Sequence, residues 1–144
     1  MNEVFYLDTC IWLNLFKKEG DVSKGKPYWI IAKEFIEKVE SSNDSIIVST
    51  IVLKELEFKL GDKFNLVKEF FKDNNFIKII KTTSEDYELA RNYEDSDKCG
   101  ISFYDYLHVA IAKRLSIKFI TRDRGLIEFS KDIIKVNKPE ELIS

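Results

Sequence analysis

Four acidic residues stand out by position. Asp8 closes the short apolar run Val4-Phe5-Tyr6-Leu7, and Asp123 follows the run Lys118-Phe119-Ile120-Thr121 after Arg122. Asp105 and Glu55 fall instead on helical stretches. At 100° per residue Asp105 lines up with Val109 and Ala112, and Glu55 is flanked by Ile51, Val52 and Phe58, so both acids occupy apolar faces. Glu57 lies about 160° from Glu55, on the Lys54 side, and only one of the two can face a shared site; the apolar neighbours select Glu55. Gathered about 5 Å apart, four ionised carboxylates would repel by roughly 3 kcal/mol per pair at an effective dielectric of 20, which in sum exceeds the stability margin of a domain. Protons or cations must relieve that repulsion. Hard oxygen donors without a His and Cys set favour Mg2+ or Mn2+ over zinc, and Mg2+ held by few carboxylates keeps waters available for reaction.

Each acid also has a plainer role open to it. Asp8 and Asp123 suit helix N-caps or loop starts. Ser102-x-x-Asp105 has capping-box spacing, although Glu or Gln is the usual fourth residue. Glu55 could pair with Lys59 one helical turn on. A cap and a site role can coexist.

The elements that would position these acids alternate. Val4 to Leu7 reads as a strand, and Ile11, Trp12 and Leu15 recur at helical spacing up to Lys18. Gly20 to Pro27 is the most turn-like segment, and Pro27 suits the first turn of a helix carrying Ile30, Ile31, Phe35, Ile36 and Val39. Ile46-Ile47-Val48 predicts a second strand, with Ser49 or Thr50 capping a helix to about Leu60, then Gly61 and a further helix to about Lys72. Phe76 to Ile80 predicts a third strand, and Thr83 to Asp86 opens a helix to about Asp95. Ser102 caps a helix from Phe103 to about Ser116. A fourth strand over Lys118 to Thr121, a short helix or turn over Gly125 to Ser130, and a fifth strand over Ile133 to Val136 complete the series. Short continuous apolar strands alternating with helices predict an α/β fold, a three-layer α/β/α domain whose central parallel sheet has about five strands. In such sheets ligand sites form outside the carboxyl ends of the strands, where Asp8 and Asp123 fall.

Composition bounds the rest. At 144 residues, 44% hydrophobic and 33% charged, residues 1–144 read as a single globular domain that needs neither disulfides nor a metal to fold. Twenty-three basic against 25 acidic residues give a net charge of −2, so any polyanion contact must be local. Met1 to Phe16 carries Asp8 and Asn14 and reads as no signal peptide, and no apolar run is long enough to span a membrane. Cys10 and Cys99 form no CxxC pair and read as buried, reduced thiols in a cytoplasmic protein.

Four stretches in order, Tyr6-Leu7-Asp8-Thr9, Ser49 to Leu56, Tyr104 to Ala112, and Phe119-Ile120-Thr121-Arg122-Asp123, resemble those of a PIN domain. The resemblance covers nearly the whole chain. It implies that Asp8, Glu55, Asp105 and Asp123 bind Mg2+ or Mn2+ and act in catalysis, and that the protein is a metal-dependent ribonuclease leaving 5′-phosphate and 3′-hydroxyl ends. It further implies a VapC-type toxin of a toxin–antitoxin pair, a homodimer, and an antitoxin partner whose basic segment plugs the acidic site. A housekeeping RNA-processing nuclease and a non-catalytic PIN-like module that binds RNA or partners are the alternatives. Asp8 and Asp105 are the foremost ligands, with Asp123 and Glu55 acting directly or through water. Thr9 and Thr121 could steady carboxylates, though capping is the plainer reading. Lys17, Lys18, Arg122 and Arg124 could hold phosphates. Trp12, Phe103, Tyr104 and Tyr106 could stack bases, although core or interface packing suits aromatics at helix starts better. His108, the single histidine, reads as a packed neutral imidazole on the Ala112 and Leu115 side. A haloacid-dehalogenase-like phosphatase needs Asp-x-Asp, and here the third residue is Cys10; a phospho-acceptor receiver domain would instead accumulate phospho-Asp8.

Overall fold

The structure, a computed structural model, describes residues 2–20, 25–97 and 100–143. Strand β1 (Val4–Leu7) leads into helix α1 (Thr9–Phe16), and α2 (Tyr28–Ser41) follows Pro27, whose extended backbone opens the helix. Strand β2 (Ser45–Ser49) passes directly into α3 (Thr50–Leu60), because the Ser49 hydroxyl accepts the Val52 N–H and caps the new helix. Gly61, at φ +56°, ends α3, and a 3-10 turn delivers the chain to α4 (Phe64–Asp73). Beyond β3 (Ile77–Ile80) come α5 (Ser84–Ser96) and α6 (Phe103–Leu115), each opened by a reciprocal capping box, Thr83 with Asp86 and Ser102 with Asp105. β4 (Lys118–Ile120), α7 (Arg124–Ser130), β5 (Val136–Asn137) and a 3-10 turn over Pro139–Leu142 complete the chain.

All strand pairings are parallel, and the sheet order is β3-β2-β1-β4-β5. Neighbouring residues on a strand point to opposite faces; Tyr6 and Leu7 of β1, like Phe119 and Ile120 of β4, are all fully buried, so both faces of the central strands are covered. The chain winds outward from β1 to β3, then returns to lay β4 on the other side of β1. That reversal is the switch point at which parallel sheets leave a crevice, and Asp8 and Asp123 follow the two strands that border it.

One hydrophobic cluster runs through the sheet and helices, with Trp12, Tyr6, Tyr106, Phe35 and Phe119 among its largest buried side chains. The buried Asp86 carboxylate takes two hydrogen bonds from Arg114, at 2.6 and 3.0 Å, and ties α5 to α6.

The fifth strand differs from expectation. It is Val136–Asn137, not Ile133 to Val136, because the N–H groups of Ile133 and Ile134 both bond back to the Ser130 carbonyl and continue the turn that ends α7. Their apolar side chains still pack on the core, which is why the run looks like a strand. Residues 21–24 of the Gly20 to Pro27 turn, and Cys99, lie outside the described residues. Among the described residues no helix is long and apolar enough to cross a membrane.

Candidate active site

Asp8 occupies the N-cap position of α1, yet its side chain makes no capping bond. It turns instead toward β4: Thr121 Oγ1 donates to Asp8 Oδ2 at 2.8 Å, and the Cys10 thiol donates to the same oxygen at 3.2 Å. Thr121 Oγ1 also accepts the backbone N–H of Asp123 at 3.2 Å, so one buried hydroxyl ties the acids after β1 and β4 together. Asp123 does cap α7, through Oδ1 and the Leu126 N–H. Asp105 likewise serves in its capping box, where Oδ2 accepts the Ser102 N–H at 3.2 Å. Glu55, on α3, takes hydrogen bonds at Oε1 from Thr9 Oγ1 at 2.7 Å and from His108 Nε2 at 2.8 Å. Its neighbour Glu57 is exposed.

A common pattern emerges. Each of the four carboxylates has one oxygen anchored by the protein, while the other, Oδ1 of Asp8 and Asp105, Oδ2 of Asp123 and Oε2 of Glu55, accepts no hydrogen bond among the described residues. The acids share one electrostatic environment. Burial raises the proton affinity of Asp105, and the charges of Asp8 and Asp123 raise it further, so its carboxyl lies above the usual range despite the bonds to Ser102. For Glu55 burial opposes ionisation, but the hydrogen bond and charge of His108, the Thr9 hydroxyl and the Lys59 charge outweigh it and hold the carboxyl below its ordinary value.

His108 lies inside this site, fully buried, with Nε2 3.9 Å from Asp8 Oδ1 as well as 2.8 Å from Glu55. Its other nitrogen, Nδ1, is 2.7 Å from the Tyr6 hydroxyl, which is 2.7 Å from Ser49 Oγ. In the neutral ring one proton arrangement, assigned from these bonds, places every donor: Ser49 donates to Tyr6, Tyr6 to Nδ1, and Nε2–H to Glu55. Burial works against the imidazolium, but the bond to Glu55 and the charges of Asp8, Glu55 and Asp105 prevail, and the His108 pKa lies above its ordinary value. Sequence reading takes His108 as a core imidazole. It is packed, but it also holds Glu55, and its place three residues after Asp105, on the same helix face, is the signal that could have shown this. Thr9 and Thr121 steady carboxylates, the role ranked second to capping. Cys10 is a half-buried thiol whose pKa is pushed up by burial and by Asp8.

Of the stacking candidates, Trp12 and Tyr106 are core residues, Phe103 is half-buried, and Tyr104 is exposed. Of the phosphate candidates, Arg122 is paired with Glu140 at 2.8 Å and lies 3.9 Å over the Tyr28 ring, Lys18 lies over Trp29, and Lys17 and Arg124 are exposed.

Among the described residues no group of three or more His, Cys, Asp or Glu side chains forms a ready-made metal site. The chemistry of the four acids nonetheless fits a hard divalent cation: the donors are carboxylate oxygens, each acid keeps one of them uncommitted, and the single imidazole nitrogen nearby is already occupied by Glu55.

Residues 5–132 match the family model of the PIN domain. The chain belongs to the PIN domain family. By fold, this PIN domain is similar to the structure of VapBC2 from Rickettsia felis bound to a DNA fragment from their promoter (20% identity, TM-score 0.66, covering 94% of this chain and 98% of that one). It is also similar to FitAcB from Neisseria gonorrhoeae (19%, 0.65, 96% and 99%). A third similar structure is VapC20 from Mycobacterium tuberculosis, described as a Sarcin-Ricin loop cleaving toxin (18%, 0.63, 89% and 94%). No curated protein matches this PIN domain by sequence.

Proposed function

We propose that this PIN domain is a Mg2+- or Mn2+-dependent ribonuclease acting through Asp8, Glu55, Asp105 and Asp123, and that it is the toxin of a VapC-type toxin–antitoxin pair. The observation that carries the nuclease reading is the pattern of the four acids, each with one oxygen anchored and one uncommitted at the switch point of the sheet. The toxin reading is supported by solved structures of similar fold that include VapBC2, FitAcB and the toxin VapC20. An antitoxin protein and a second copy of the chain are the partners this reading brings.

The chemistry such a cation supplies when bound is activation of water and neutralisation of charge on the phosphoryl group. The chain's own residues supply orientation. Thr121 and Cys10 fix Asp8 from one side so that Oδ1 faces the crevice environment shared with His108. Thr9 and His108 fix Glu55 in the same way, and the first turns of α6 and α7 hold Asp105 and Asp123 by their backbone N–H groups. Side chains locked by such contacts give up little entropy when a substrate phosphate arrives. The raised proton affinity of Asp105 means that the acids compete for charge when no cation is present, a competition that a divalent ion removes.

The test is cleavage of a labelled single-stranded RNA in Mg2+ by wild type, Asp8→Asn and Asp105→Asn, with circular dichroism confirming matched folds. Wild type should cut, EDTA should stop it, and each variant should lose at least about 100-fold in rate. A folded Asp8→Asn protein that cuts at the wild-type rate would overturn the assignment. Co-purification with the product of an adjacent small gene would support the toxin reading, and a monomeric protein with no such neighbour would favour RNA processing.

A further inference from the structure

Beside the carboxylates, a groove of about 410 Å3 runs between α3 and the first turn of α6, lined by Ile51, Lys54, Glu55, Phe58, Lys59 and Tyr104. Glu55 is among its lining residues, so the groove adjoins that acid. Two of its walls are aromatic and open to solvent, Phe58 at 84% and Tyr104 at 48% exposure. Each stands one step from an acid, Phe58 three residues after Glu55 on α3 and Tyr104 immediately before Asp105. Phe58 and Tyr104 together give this one groove two solvent-exposed aromatic walls.

Charge separates the possible occupants. Lys54 and Lys59 flank Glu55 on α3, both are exposed, and neither is in an ion pair among the described residues. Arg122, by contrast, is committed to Glu140 and Tyr28. Exposed cations beside exposed aromatic faces are the combination that holds single-stranded nucleic acid, where rings stack on bases and cations follow the phosphates.

We infer that this groove binds an unpaired nucleobase of an RNA strand, stacked on Phe58 and Tyr104, with Lys54 and Lys59 contacting the adjoining phosphates. The inference rests on the ribonuclease reading for its substrate class. It makes the enzyme selective for single-stranded or looped RNA, because a base stacked within a duplex cannot enter. It also separates the stacking residues from those of the acid cluster, so base recognition and cutting are distinct functions of α3 and α6.

The experiment is fluorescence anisotropy in EDTA, where no divalent ion supports cutting, with a labelled single-stranded RNA dodecamer and a duplex of the same length. Phe58→Ala and Tyr104→Ala should each weaken single-strand binding at least about fivefold, the loss expected for one stacked base, and leave duplex binding within about twofold. Phe58→Tyr should restore binding and Phe58→Leu should not, since Leu keeps the apolar surface but cannot stack. Replacing Lys54 and Lys59 by Gln should flatten the dependence of log affinity on log salt by one to two units. Unchanged single-strand affinity in folded Phe58→Ala and Tyr104→Ala proteins would overturn the inference, as would a wild-type protein that does not bind the dodecamer. A change in molar mass by light scattering with RNA affinity unchanged would likewise overturn it and assign the groove to a protein interface. Lost cutting with intact groove binding would refute the nuclease reading alone; intact cutting with unchanged variants would refute the groove alone.

Discussion

Asp105→Asn should stabilise the metal-free protein while abolishing its activity. Asp105 sits in its capping box with its proton affinity raised by burial and by the charges of Asp8 and Asp123. Asparagine keeps an oxygen that can accept the Ser102 N–H, so the box survives. What changes is charge. At an effective dielectric between 20 and 80, set by a half-buried position, a like-charge pair costs about 1 kcal/mol, and Asp105 takes part in two, with Asp8 and Asp123. Against this, removing a negative charge from the first turn of α6 forfeits about 0.3–1 kcal/mol of helix-dipole interaction. The balance is a gain of about 1 kcal/mol, which in a chain of 144 residues raises Tm by about 3 °C. The gain depends on pH. A carboxyl whose folded pKa is raised makes the wild type more stable as pH falls through that value, so the advantage of Asn should be full at pH 8 and vanish toward acid. Mg2+ should reverse the order, since a concentration ten times Kd adds about 1.4 kcal/mol to the wild type and less to the variant. Thermal melts by circular dichroism in EDTA at pH 8 and at pH 4.5, repeated in Mg2+ at pH 8, read all three effects. An Asn variant less stable than wild type in EDTA, or stabilised equally by Mg2+, would refute the reasoning.

Three other perturbations probe separate parts of the account. Thr121→Val keeps the shape of the side chain but removes the hydroxyl that holds Asp8 and Asp123, and should lower Mn2+ affinity 10- to 100-fold by calorimetry with secondary structure intact. Tyr6→Phe leaves Ser49 and His108 Nδ1 without their shared partner, costing about 1–3 kcal/mol in urea unfolding. Because His108 is the single histidine, its 15N spectrum reports the ring state directly: wild type above the His108 pKa should show an Nε2–H, Nδ1-acceptor ring, and a ring protonated at Nδ1 alone would contradict the proton order. Asp86→Ala removes a buried carboxylate that accepts from the exposed Arg114 and from the Thr83 N–H, and should cost about 1–3 kcal/mol in urea unfolding while leaving cleavage by the folded fraction unchanged. The Asp86 carboxyl is held below its ordinary value by Arg114 and the Thr83 cap, so its contribution is present above about pH 3.9 and is lost as pH falls through the depressed value.

What was legible in the sequence is what depends on neighbours along the chain. Ser49 or Thr50, Thr83 and Ser102 announce helices because an N-cap acts within three residues, and the structure places caps at Thr83 and Ser102 and takes Ser49 of the first pair. The parallel sheet follows from strands without alternation, and with it the carboxyl ends after which Asp8 and Asp123 fall. What was hidden depends on partners brought close only by folding. Glu55 and His108 are 53 residues apart, and Thr121 and Asp8 are 113 apart. No local pattern distinguishes a Thr that caps from one that holds a distant carboxylate. The fifth strand was misplaced for a related reason: Ile133 and Ile134 are apolar because they meet the core from a turn, and burial alone does not tell a turn from a strand. Asp105 and Asp123 cap with one oxygen each and leave the other uncommitted, which a capping signal in the sequence does not reveal.

The central claim is that Asp8, Glu55, Asp105 and Asp123 form one cation site. Electron paramagnetic resonance of Mn2+ titrated into wild type and into the four single Asn or Gln variants tests it most directly, because bound and unbound ion are counted without reference to catalysis. The account predicts a stoichiometric site in wild type that each variant weakens, Asp8→Asn and Asp105→Asn the most. Wild-type-like Mn2+ binding in those two folded variants, or none in wild type, would contradict it.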